Sequence, residues 1–352
     1  MPPNAASHDQ LPFALSLIPS AAPVPEERPV PKTGATLSKL ELRCPPLPQT
    51  LTGALELMHA PEHMEVKPVT KMVERDPAVV ARLLQTVNSA YYGLQRSISS
   101  TRRAVVMLGP VAVTGMVVGM NMLKLRSIVD GPAKDCFLRL IQHNIAVAHL
   151  TRVLTEQLPA RSHRIHAATG HAFTAGLLHD FGKIILVYNF AEESVALYED
   201  QTIGTQVQDP DLCQMEQLLF GYDHTEAGEF AARKLNFPEA LIDVMRHHHT
   251  PHALEADDDA GRLMRAVVAA NEAAKAMGYA FIEPRTWDDT LEHPVWAHLL
   301  AHDLPAMEHP DVVRQALCDG QDQLDTYVAH LSPSLDFDAD EQPTPRGTAP
   351  LR

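Results

Sequence analysis

The residues of this chain with the clearest chemical potential are its histidines, 19 in 352 residues. One pair stands out: His179-Asp180 closes an apolar run in Gly176-Leu177-Leu178-His179-Asp180-Phe181-Gly182-Lys183. An imidazole nitrogen beside a carboxylate oxygen suits a divalent cation. A dipeptide is weak evidence alone, but His143 lies on an upstream helical stretch, His224 at the start of a downstream one, and His248-His249 at the end of the next. Side chains contributed by several helices to one point are how helical bundles build metal sites. His143, His179, Asp180, His224 and His248 are therefore expected to share one polar pocket. A lone histidine on a helix face is ordinarily a core or surface residue, and His149, His163, His166, His171, His247 and His252 are read that way.

The elements that must position these side chains are helices, because helical periodicity recurs along the chain and strand signals are scarce. Asp76-Pro77 supplies a cap and a first-turn proline. Val80, Leu83, Leu84, Val87 and Tyr91 then share a face, which predicts about four turns closed near Gly93. Ser97 to Thr101 offers hydroxyls to cap the next helix. Asp223 to Glu226 matches a capping box, and Pro238 starts a helix carrying Leu241, Ile242, Met245, His248 and His249 on or near one face. Ala104 to Leu123 holds 20 residues without a charge, long enough to cross a bilayer. Gly109-Pro110 interrupts it, so two buried helices are expected there instead.

Apolar residues make up 45% of the chain against 21% charged, which excludes wholesale disorder. Proline-rich residues 1–36 and the polar tail 333–352 are expected to be unstructured. Between them the sequence predicts an all-α protein: an N-terminal helical subdomain over 37–130, a bundle over 131–252, and a helical extension over 253–332. Cys44, Cys136, Cys213 and Cys318 lack metal-ligand or disulfide spacing and read as reduced thiols. With no targeting segment visible, a cytoplasmic location is expected. Net charge is −15, unevenly divided: residues 1–189 carry +6 and residues 190–352 carry −21. The acidic total argues against nucleic-acid binding, and the basic residues from Lys67 to Arg126 read as a solvated face. No membrane partner is expected.

The ordered stretches Pro45-Pro46-Leu47-Pro48, Asp76-Pro77, Asn88-Ser89-Ala90-Tyr91-Tyr92-Gly93, Ile98-Ser99-Ser100, Leu108-Gly109, Ala175 to Asp180, Phe220-Gly221-Tyr222-Asp223-His224 and His248-His249-Thr250-Pro251 resemble the HDOD family, the HD-related output domain of bacterial signalling proteins. The resemblance spans roughly residues 45–252. It implies a helical bundle related to the HD phosphohydrolases, preceded by its own helical subdomain, and a regulatory role in which the catalytic metal site is often eroded. It also implies that His143, His179, Asp180, His224 and His248, and more weakly His249, occupy metal-ligand positions. Lys183 matches the lysine that follows the His-Asp pair in the HD-GYP branch. Two departures count against catalysis: the last acidic ligand of the superfamily falls at Asn271, and no Gly-Tyr-Pro loop follows His249.

Two functional expectations follow. The first is a non-catalytic signalling module that binds partner proteins or a small ligand such as a nucleotide. The alternative is a metal-dependent phosphohydrolase acting on a nucleotide or cyclic dinucleotide, with Lys183 steadying phosphate oxygens. Neither reading fixes a cofactor from the sequence; the candidate is a divalent metal, Fe, Mn or Zn.

Overall fold

A computed structural model of the chain describes residues 42–89, 97–156, 165–199, 212–250, 255–256, 258–282, 284–304 and 309–331. The terminal segments expected to be unstructured, and the Ala90 to Gly93 part of the tyrosine signature, lie outside these residues. Among the described residues every regular element is helical. In chain order these are α1 (Gln49–Leu57), α2 (Val66–Val73), α3 (Pro77–Val87), α4 (Thr101–Leu108), α5 (Pro110–Lys124), α6 (Ala133–Glu156), α7 (Ile165–Leu178), α8 (Phe181–Asn189), α9 (Ala191–Glu199), α10 (Leu212–Phe220), α11 (His224–Lys234), α12 (Glu239–His247), α13 (Asp259–Ala274), α14 (Trp287–Leu291), α15 (Val295–His302), α16 (Pro310–Asp319) and α17 (Gln321–Leu331).

Local chemistry sets several of these boundaries. Asp76 caps α3 by accepting from the Ala78 and Val79 amides, and Ser100 caps α4 through the Arg103 amide. Helix α3 is shorter than the four turns its periodicity suggests, because Asn88 ends it. The Asn88 amide group donates to the Leu84 and Ile98 carbonyls and its Oδ1 accepts from the Ile98 amide, which draws the following chain back onto the helix. Its buried face also centres on Val79, Leu83, Thr86 and Val87, with Val80 and Leu84 at the margin. Asp223 caps α11 through the Glu226 amide. Only half of the expected box forms: the Glu226 carboxylate accepts from Gln217 instead.

Gly109, with φ +88°, separates α4 from α5. The stretch Pro110–Ile128 has the length and apolar composition of a membrane span, and 61% of its most apolar window is buried among other helices. The Asn121 side chain donates to Val117 O and accepts from Thr50, joining α5 to α1. On its other side α5 packs against α7, so the N-terminal helices rest on the element that leads to His179.

Helix α6 is the spine of the larger bundle, flanked by α7, α13 and α17. Gly176 lets α7 approach it closely: a Cβ there would lie 2.8 Å from Ala148 Cα and 2.9 Å from Val147 O. The helices after residue 252 are integral to this packing. Arg265 of α13 is fully buried, donating to both Asp303 oxygens and to Ala256 O. A buried guanidinium needs such saturation, since an unpaired buried charge costs several kcal/mol.

Candidate metal centre

His179 and Asp180 form the tight turn between α7 and α8. His143 projects from the middle of α6, His224 is the first residue of α11, and His248 follows the last residue of α12. All five are at most 4% exposed. Around the Asp180 carboxylate, Oδ2 lies 3.8 Å from His143 Nε2 and 3.5 Å from His179 Nε2. Oδ1 lies 3.5 Å from both His224 Nε2 and His248 Nε2. The structure thus brings together the five residues expected to share a pocket.

The outer nitrogens explain the orientation of the rings. His143 Nδ1 donates to Tyr279 O at 2.7 Å, His179 Nδ1 to Gly176 O at 2.8 Å, and His248 Nδ1 to Val244 O at 3.0 Å. A carbonyl only accepts, so each Nδ1 carries the proton and each Nε2 presents a lone pair to Asp180. His224 Nδ1 donates to Glu216 Oε2 at 2.6 Å. Glu216 is itself fully engaged, accepting from the His224 amide at 2.8 Å and from the Tyr198 hydroxyl at 2.7 Å. Fixing the outer nitrogen of each imidazole is the arrangement that orients metal-ligating histidines.

Nε2 atoms packed this closely around carboxylate oxygens need a proton or a cation among them to avoid lone-pair repulsion. His224 Nε2 and His248 Nε2 are only 3.4 Å apart, and the buried His179 Nε2 and Asp180 Oδ1 have no hydrogen-bond partner. Lys183 supplies part of the missing charge, donating from Nζ to Asp180 Oδ2 at 2.6 Å. Its ammonium also lies 5.9 Å from the centre of the Phe281 ring. Burial alone would raise the Asp180 pKa, but Lys183 and the surrounding imidazoles outweigh it and hold the carboxyl well below the usual range. Burial draws His143 down to about 4 despite the opposing pull of Asp180. It likewise lowers His179 and His248. An ionised carboxylate among neutral imidazoles is the protonation state a cation requires.

Two donor groups meet at Asp180, each with ligand atoms within 4.8 Å of one another. One is His143, His179 and Asp180; the other is Asp180, His224, His248 and His249. The His249 ring lies 4.2 Å from that of His248 and 5.0 Å from that of His224, on the solvent side of the cluster. Asn271 is buried in α13, but its Oδ1 has no hydrogen-bond partner, so no such bond ties it to the cluster. Of the histidines read as structural, His149 is buried with its ring 5.0 Å from Tyr327, His171 is buried, and His247 is exposed. His163, His166 and His252 lie outside the described side chains.

The HDOD domain profile matches residues 44–251, more than half of the sequence. The chain belongs to the HDOD family. An HDOD domain protein of unknown function from Geobacter sulfurreducens superposes with a TM-score of 0.65 at 20% identity, covering 82% of this chain and 93% of that one. A protein from Marinobacter aquaeolei VT8, named for signal transduction, gives 0.61 at 20% identity over 83% and 60% of the two chains. A chain from Shewanella amazonensis SB2B, named for phosphohydrolase activity, gives 0.59 at 20% identity over 85% and 99%. An uncharacterised protein of Treponema pallidum (strain Nichols) is 24% identical over 215 residues, 59% of this chain and 39% of its own length. The solved structures share the helical fold of this chain.

Three groups that shape this HDOD site escape a motif reading. Glu216 is buried in the structure, and its place as an acid within the otherwise largely apolar Leu212–Phe220 is the one hint the sequence offers. Tyr198 reaches the cluster through its hydroxyl bond to Glu216, with its ring 5.2 Å from that of Phe281. Tyr279 acts through its backbone carbonyl, which no side-chain pattern encodes, and it lies beyond the residues that the family profile matches.

Proposed function

We propose that this HDOD protein is a non-catalytic signalling module whose cluster holds one divalent transition metal as a structural or sensing centre. The observation that carries this reading is the convergence of four buried imidazoles on one buried carboxylate. His143, His179, Asp180, His224 and His248 would hold the ion, with Fe, Mn or Zn suited to that donor set. Such a cation, when bound, supplies Lewis acidity and the capacity to lower the pKa of coordinated water. The cluster itself offers a single anionic ligand, and Lys183 already shares one of its oxygens. Glu216 is committed to His224 and Tyr198. Two divalent ions at this cluster would therefore be poorly neutralised, which favours a single ion and a regulatory role.

One observation supports the phosphohydrolase reading: Asp180 belongs to both donor groups and so is the natural bridge for a second ion. In that case Lys183 faces the phosphate oxygens of a nucleotide or cyclic dinucleotide. Elemental analysis of untagged protein, with turnover assays on cyclic dinucleotides and a generic phosphodiester in Mn and Fe(II), separates the two. The module reading expects about one metal per chain and no turnover. Two metals per chain, with turnover abolished in a folded Asp180→Ala variant, overturns it.

A further inference from the structure

A second polar site lies away from the histidines, where α3, α5, the 3-10 turn Leu125–Ile128 and the start of α6 meet. It is a cavity of about 630 Å³, within the range of about 300–1,000 Å³ typical of small-molecule sites. Arg82, Lys124, Arg126 and Lys134 line it together with Met120 and Leu123, and none of its described lining residues is acidic. In a chain of net charge −15, four cations around one concavity oppose the background.

Two carboxylates outside the cavity reach its lysines. Asp76 engages Lys124 at 2.5 Å while also capping α3. Asp130 lies 3.8 Å from Lys134 and is itself fully exposed. Arg126 Nε is buried and has no hydrogen-bond partner. Burial draws the pKa of Arg82 below its ordinary value. Crowding like charges around a partly desolvated hollow costs free energy, and an anion seated there recovers it through charge-assisted hydrogen bonds. The remaining wall is apolar, with Met120 buried and Leu123 partly so. Four cations also exceed the charge of one phosphate group, roughly −1.5 to −2 at neutral pH.

We propose that this cavity binds a nucleoside polyphosphate, with the base against Met120 and Leu123 and the phosphates against Arg82, Arg126 and Lys134. The site is distinct from the histidine cluster and needs no metal. Lys134 begins the same helix that carries His143, so an occupant touches the spine of the bundle.

The test is calorimetric titration of the full chain at low salt in EDTA, so that the cluster cannot recruit a nucleotide through a metal. ATP, AMP, adenosine, inorganic triphosphate and a short single-stranded RNA serve as probes. ATP is expected to bind more tightly than AMP, adenosine or triphosphate. Arg82→Gln with Arg126→Gln should weaken it by about tenfold or more, as the loss of charged contacts predicts. Lys134→Gln alone, remote from the apolar core, provides a second variant and should weaken ATP severalfold. Absence of ATP binding, or undiminished binding by both variants, overturns the proposal. Equal binding of adenosine removes the phosphate half of it, and equal binding of triphosphate removes the base half. RNA that binds more tightly than ATP and loses affinity in the same variants replaces a nucleotide pocket with a polyanion surface.

Discussion

The cluster around Asp180 and the cavity around Arg126 are built on the same helix, nine residues apart at His143 and Lys134, about 13 Å along its axis. Their construction is opposite. At the cluster every contributing side chain is nearly fully buried, and each imidazole is locked by a hydrogen bond behind it. At the cavity the charged groups sit at the ends of long, partly exposed side chains, and Lys124 pairs with Asp76. A deep site needs short side chains on closely packed helices. A shallow one can be assembled from flexible side chains on whichever elements are adjacent.

The largest expected effect tests that dependence on close packing. Gly182 opens α8, and a Cβ there would lie 1.6 Å from His224 O and 2.7 Å from Gly228 N, both backbone atoms of α11. Gly182→Ala must therefore push apart the two elements that present Asp180 and His224. Overpacking costs about 1–3 kcal/mol and sometimes more, and a backbone overlap this deep belongs at or beyond the upper end. Loss of bound metal together with a sharply lower melting temperature is expected. A variant of normal stability and metal content would mean that the cluster tolerates separation of its helices, and the contrast with the cavity would fail.

The same contrast explains what the sequence makes legible. His143, His179, Asp180, His224 and His248 stand out because short polar side chains in apolar helical runs must converge or be penalised. Asp76, Ser100 and Asp223 mark helix starts through local hydrogen bonds, so those boundaries are readable. Apolar periodicity runs past the true end of α3 because it cannot register the long-range bonds from Asn88 to Ile98. The cavity is illegible in the sequence, since Arg82, Lys124, Arg126 and Lys134 are spread over more than 50 residues without a motif and resemble a solvated face until folding gathers them.

Acid should separate the two regions next. In metal-free protein, burial keeps His143 neutral with a pKa of about 4, and His149 at about 3, against about 6.5 in an unfolded chain. Between these values the unfolded chain takes up protons that the folded chain refuses, so stability falls as pH drops. The contribution is fully present above about pH 6.5 and is lost toward pH 4, on the order of 3 kcal/mol for His143. Asp180, held low by Lys183, adds a further loss only below about pH 3.8. None of the described residues lining the cavity is a histidine or an acid. Melting curves in EDTA from pH 7.5 to 4 should show the decline, and His149→Gln should make it shallower. A flat profile down to pH 4 would indicate imidazoles already charged in the folded protein, incompatible with lone pairs facing Asp180.

A smaller and more selective effect is expected at Glu216. Gln in its place can still accept from His224 and meet the Tyr198 hydroxyl, so packing survives while the negative charge behind the imidazole is lost. Removing a hydrogen-bonding partner of a metal-ligating histidine typically costs about 10–100-fold in metal affinity. Competition with a chelator of known affinity should show a loss of that order for Glu216→Gln, with a melting temperature close to that of the parent. Unchanged metal affinity would place His224 outside the ligand set.

The smallest expected effect on stability belongs to the cavity, and it is the sharpest separation of the two sites. Arg126 lies within a group of four cations and its Nε makes no hydrogen bond. Replacing its guanidinium with the neutral amide of Gln removes like-charge repulsion and relieves a buried donor, while the shorter stem gives up some apolar contact. These terms oppose each other, so Arg126→Gln should leave stability within about 0.5 kcal/mol of the parent, as for most partly exposed substitutions. Metal content should not change, because none of the cluster's hydrogen bonds involves Arg126. Thermal melts in low salt, repeated at high salt, give the finer measurement. If repulsion dominates, the variant is slightly the more stable at low salt and the advantage fades as salt screens the parent's charges. A loss of several kcal/mol would instead make Arg126 a structural strut, and the cavity would then be another packed interior rather than a place held open for an anion.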